Sequence, residues 1–150
     1  YVVVLTLLNI SISSISSRIP LESIMEWDIT LHRENAYIEV VTKGMADHES
    51  SLEMAKAIAK TMRTNRYTKV LIDHRNIEKV SGKVVEIYER PKMFKIIGVI
   101  LGIKIAEIIK PDHLEHFRFL ETVCINRGYK FSIFYDKAAA LNWLLERQGG

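Results

Sequence analysis

Polar and apolar positions change period several times along the chain, and each change marks a predicted element. Residues 26–32 and 37–42 are β-rich runs separated by Arg33, Glu34 and Asn35, a pattern that predicts a hairpin with a short polar loop. Gly44 is expected to end the second strand. Asp47 and Ser50 are N-cap candidates, and Ser50 with Glu53 reads as a capping box ahead of a helix. Leu52, Ala55, Ile58, Ala59 and Met62 then recur at helical spacing, so this helix lays one face on a sheet.

Residues 69–73 (KVLID) read as a short buried strand followed by a charged turn, HRNIEK. A helical segment is predicted over 82–100, divided or kinked at Pro91, which a helix tolerates in its first turn but not in its interior. A strand over 103–109 follows Gly102. Pro111 and Asp112 open a helix that runs to Asn126 with Leu114, Phe117, Leu120, Glu121, Val123 and Cys124 on a mostly apolar face, and Gly128 stops it. Residues 130–135 form the last strand. Asp136 caps a final helix expected to bury Ala139, Ala140, Trp143 and Leu144. The order is β-β-α-β-α-β-α-β-α, which predicts an α/β fold with a mostly parallel mixed sheet, the initial hairpin supplying an antiparallel edge.

Residues 1–24 differ in composition from the rest: they carry Val, Ile, Leu and Ser with almost no charge. The apolar run over 1–10 is too short to span a bilayer, and no basic region precedes it as a secretory signal requires. The expectation is a leader or upstream extension over 1–24, with a remnant membrane anchor as the alternative, and one domain over 25–150 that begins at or near Met25.

At 150 residues, 48% hydrophobic and 26% charged, the chain has the balance of one globular domain and needs no disulfide or metal to hold a core. The single cysteine, Cys124, lies in the apolar stretch FLETVCI and reads as a buried helix residue; a reducing cytoplasm suits this usage. Basic and acidic residues number 21 and 18 and are interspersed, so no basic stripe marks a nucleic-acid binder.

The residues that carry a family likeness lie mostly in the second half. IKIAEI is followed by FLETVCINRGYKFSIFYDKAAALNWLLE, in which Phe119, Glu121, Asn126, Arg127 and Gly128 form an F-x-E-x-x-x-x-N-R-G helix exit, and Ala140, Trp143 and Leu144 an A-x-x-W-L closing helix. With LIDHRN and YERPKMFKIIG upstream, this resembles the SpoIIAA-like family of small bacterial proteins, of STAS and SEC14 type, over residues 27–146. The resemblance implies a STAS-like fold. It also implies likeness to the phospho-switch proteins of sigma-factor regulation and to lipid-carrying SEC14-like domains.

No constellation in the sequence specifies a reaction, a metal or a cofactor, and the expected function is a non-catalytic binding or regulatory module acting on a protein partner or as a homodimer. Ser81 stands where the phospho-switch resemblance wants an acceptor, although Val80 replaces the acidic residue usual before it, and a helix N-cap also explains the serine. Asp73, His74 and Arg75 leave the central strand at the end where open α/β sheets place ligands. An Asp and a His there suggest acid and base, but neighbours on a strand point to opposite faces, and an exposed turn with local Asp and Arg hydrogen bonds is the plainer reading. His113 and His116 have a metal-like spacing without a remote third ligand, and Arg127 serves either an anion or the helix dipole. The segment with Met93, Phe94, Ile97 and Ile100 is apolar nearly all round, which points to core, to a dimer or partner contact, or to a hydrophobic small molecule or lipid.

Overall fold

The computed structural model describes residues 24–80 and 102–146. Residues 1–23 of the expected leader or extension and the helical segment predicted over 82–100 therefore lie outside the described residues, as do Ser81, Met93, Phe94, Ile97 and Ile100. The described chain forms strands β1 (Glu26–His32), β2 (Tyr37–Ala46), β3 (Lys69–Val80), β4 (Lys104–Ile108) and β5 (Lys130–Phe134). Helix α1 (His48–Asn65) joins β2 to β3, α2 (Leu114–Asn126) joins β4 to β5, and α3 (Lys137–Leu145) follows β5. The five strands form one sheet in the order β1-β2-β3-β4-β5. The β1–β2 pair is antiparallel and the others are parallel, as the alternation of strands and helices predicts.

The sheet buries both faces. On one, Ile38, Val40, Val70, Ile72, Ile105, Ile109 and Phe131 share a core with Met54, Ile58 and Met62 of α1 and Phe117, Leu120 and Cys124 of α2. On the other, Tyr37, Leu71, Ala106 and Ile108 meet Ala140 and Leu144 of α3. Cys124 is wholly buried, in keeping with its apolar neighbours in sequence.

Three local expectations about the helices need correction. The capping box does not form: Asp47 is the N-cap of α1, its carboxylate accepting from the Ser50 backbone N–H at 2.8 Å and from the Ser50 hydroxyl, while Glu53 pairs with Lys56 at 3.0 Å. An Asp one turn before Ser50 offers a charged acceptor to the open N–H groups and wins over the serine. The predicted helix from Pro111 opens as a 3-10 turn over Pro111–His113 before α2 begins at Leu114. Trp143 is only half-buried, and the fully enclosed residues of α3 are Ala140 and Leu144.

The largest correction concerns β2 and β3. Gly44 does not end β2, and HRNIEK is not a turn; both strands continue, paired from Lys43↔Asn76 to Ala46↔Val80, beyond the point where β4 stops. The pairing shifts register between Val41 and Lys43 and again between Gly44 and Met45. In this ribbon His74 and Ile77 are buried while Arg75, Asn76, Glu78 and Lys79 are exposed, so the strand does not show the period of two by which it would be recognised.

Gly44 is required at the bulge. Its φ is +92°, and a Cβ there would lie 2.4 Å from the carbonyl oxygen of Ile24. Strain and backbone contact together predict that Gly44→Ala costs about 1–3 kcal/mol, measured by urea unfolding. A loss within a few tenths of a kcal/mol would show that Ile24 gives way freely.

Candidate functional site

The C-terminal ends of β2, β3 and β4 bring polar side chains into both layers of the molecule. Alternation along β3 sends Asp73 toward the α3 side and His74 toward the α2 side, so the two do not form a pair. Each is engaged separately.

Asp73 is buried and holds Arg75 in a fork: Arg75 donates from its backbone N–H and Nε to Oδ1, both at 3.0 Å, and from Nη2 to Oδ2 at 2.7 Å. The local hydrogen bonding expected of these residues is present, on a strand rather than in a turn. Burial pushes the Asp73 carboxyl up, but the Arg75 hydrogen bonds and charge outweigh it and leave its pKa below the usual aspartate value. A depressed folded pKa contributes stability that is fully present above the unfolded value, about 3.9, and is lost as pH falls through the folded one. The stability gap between wild type and Asp73→Asn is therefore expected to be constant near neutrality and to shrink as pH drops below about 4. Denaturant titrations across this range check it, and a gap independent of pH would contradict the assignment. The Arg75 side chain stays partly exposed.

His74 is 5% exposed. Its Nδ1 lies 2.8 Å from the Thr42 hydroxyl, which also reaches the Asp73 carbonyl at 3.2 Å. Nε2 faces Glu107 Oε1 at 3.6 Å, and the ring stacks on Phe117 with centroids 5.1 Å apart. Thr42, His74 and Glu107 thus form a buried line across β2, β3 and β4. A hydroxyl, an imidazole and a carboxylate in a row have the composition of a nucleophilic triad. Here the hydroxyl is fully enclosed and Glu107 is 5% exposed, so the group that would attack has no approach for a substrate among the described residues. The line ties three strands together inside the core. Glu107 Oε2 is buried without a hydrogen-bond partner among the described residues.

A second network lies on the α3 side. Glu39 accepts from Lys137 Nζ at 2.6 Å and lies 2.7 Å from His32 Nε2, joining the first residue of α3 to β1 and β2. His32 stacks parallel on Tyr37 at 4.4 Å. Burial, then the Glu39 charge, raises the Tyr37 pKa against the opposing pull of Lys137. Lys104, buried on β4, donates to the Trp143 carbonyl, lies 3.0 Å from Glu146 and sits 4.3 Å over the Trp143 ring, so it closes the C-terminal end of α3. Lys104, Glu107 and Glu39 escaped the sequence reading. Their signal was a charged residue inside an otherwise apolar strand: Lys104 and Glu107 in KIAEI, and Glu39 between Ile38 and Val40.

The remaining candidates stand apart. His113 lies in the 3-10 turn, with its Nδ1 buried and unpartnered among the described residues, and His116 packs edge-on against Phe117. No group of three His, Cys, Asp or Glu side chains gathers in metal-binding geometry among the described residues. Arg127 is the C-cap of α2, followed by Gly128 at φ +84°. No described helix is long and apolar enough to cross a membrane.

No family model matches the chain, and no curated protein matches its sequence. Solved structures do match its fold. An anti-sigma factor antagonist from Mycobacterium paratuberculosis superposes with a TM-score of 0.58 at 11% identity, over 84% of this chain and 98% of its own. An uncharacterized protein of the DUF3478 family from Shewanella loihica, itself described as having a SpoIIAA-like fold, gives a TM-score of 0.52 at 20% identity, over 81% of this chain and 94% of its own. With the antiparallel β1–β2 edge and the parallel remainder, the chain has the STAS, or SpoIIAA-like, fold, as the resemblance of its helix exit and closing helix implied.

Proposed function

We propose that this chain is a non-catalytic regulatory module that acts by binding a protein partner through the end of the sheet where β3 leaves it. The observation that carries the reading is the separation of Asp73 from His74. One is locked to Arg75 and the other is enclosed between Thr42, Glu107 and Phe117, so the acid and base of the enzyme alternative are both committed to structure. What remains outward at this end is recognition chemistry: the exposed part of Arg75, with Asn76, Glu78 and Lys79 on the β2–β3 ribbon. Ser81 follows the last residue of that ribbon and is the proposed phospho-acceptor. A phosphate there would add negative charge two residues beyond Lys79, changing how the surface pairs with a partner. The fold supports the reading, since one solved structure that shares it is an anti-sigma factor antagonist. Met93, Phe94, Ile97 and Ile100 are the proposed apolar part of the same contact.

The test is isolation of the tagged protein from its own cells under native conditions, followed by mass measurement of intact complexes. Wild type is expected to carry a stoichiometric protein partner that Arg75→Glu loses while its thermal transition persists. A protein that carries a nonpolar small molecule and no protein partner would overturn the reading in favour of a hydrophobic carrier.

A further inference from the structure

The two edges of the sheet are treated differently. At the β5 edge, the Glu121 carboxylate of α2 accepts the Ile133 backbone N–H at 2.8 Å, which occupies a donor that another strand would need. At the other edge, no strand pairs with the outer side of β1 among the described residues. Trp27, Ile29 and Leu31 are half-buried there, packed against the core under α1, while Glu26, Asp28 and Thr30 are exposed on the opposite face. A seven-residue edge with an apolar stripe on one face is a template for strand addition.

We infer that a second copy of this chain pairs with β1, strand to strand and antiparallel, about a two-fold axis through Ile29. The sequence EWDITLH selects this register. It sets Ile29 against the partner's Ile29 and Trp27 against the partner's Leu31, continuing the apolar stripe across the junction. On the other face Glu26 meets the partner's His32, and Asp28 meets the partner's Thr30. No like charges oppose each other, and every residue of the strand is paired. An axis through Asp28 would set Asp28 against the partner's Asp28, and one through Trp27 would set Glu26 against the partner's Asp28; both oppose like charges. An axis through Thr30 pairs only residues 28–32 of the strand and leaves Trp27 outside the stripe. The contact is isologous and closes at two copies, joining the two sheets into one.

Sedimentation equilibrium of the full chain over a concentration series tests both the dimer and its register. Thr30→Lys places a lysine opposite the partner's Asp28 twice per dimer and is expected to tighten dimerisation about fivefold. Adding Asp28→Lys to that variant turns both contacts into Lys against Lys and is expected to weaken dimerisation below wild type by a similar factor. Both positions are exposed, and circular dichroism with a thermal melt confirms that each variant keeps the fold. A wild type that stays monomeric at every concentration overturns the proposal. So does a dimer whose dissociation constant responds to neither substitution, since its contact would then lie elsewhere.

Discussion

Replacing His74 with Ala is expected to destabilise the domain by about 3–5 kcal/mol, the scale for removing one member of a buried polar pair. The substitution leaves Glu107 enclosed without the imidazole that faces it among the described residues, and it opens space beside Phe117. Apolar residues at both positions, His74→Leu with Glu107→Leu, should lose less than the single change, because no polar side chain of the pair is then left buried without its partner. Urea midpoints at unchanged slope measure both variants. A single-variant loss under about 1 kcal/mol, the scale of a surface change, would show that the buried line holds nothing together.

Leu144→Ala carries the second large effect. Leu144 is wholly buried between α3 and the sheet, where it packs with Leu71, Ala106 and Ile108. Its truncation is expected to cost about 2–5 kcal/mol, depending on how far α3 can collapse onto the gap. Trp143→Ala should cost less, although the residue removed is larger. The indole is only partly buried and covers the Lys104 ammonium and Phe134 at the rim of the layer. If Trp143→Ala proved the more damaging of the two under the same denaturant series, the ring and not Leu144 would be the anchor of α3.

The comparison of these two residues shows where the sequence was readable. The spacing of Ala140, Trp143 and Leu144 marked the buried side of α3, but spacing does not separate a residue under a helix from one at its flank. The apolar runs of β4 and β5 and the hairpin of β1 and β2 were legible because burial there follows strand period and strand length. The ribbon over His74–Val80 was not, because two register shifts in its pairing with β2 break the period of two. The split between Asp73 and His74 followed from their adjacency alone. Their partners did not: Thr42 and Glu107 come from other strands, and only the sheet register places them beside His74.

The proposed function requires that the outgoing end of β3 be a recognition surface rather than a catalytic site. Hydrogen exchange of the chain, alone and in complex with the partner that co-purifies with it, tests that claim most directly. Binding is expected to slow exchange of backbone amides over residues 75–80, on the β2–β3 ribbon, more than over α3 or the β5 edge. Protection confined to α3 or to β5, with the ribbon exchanging as it does in the free protein, would contradict it.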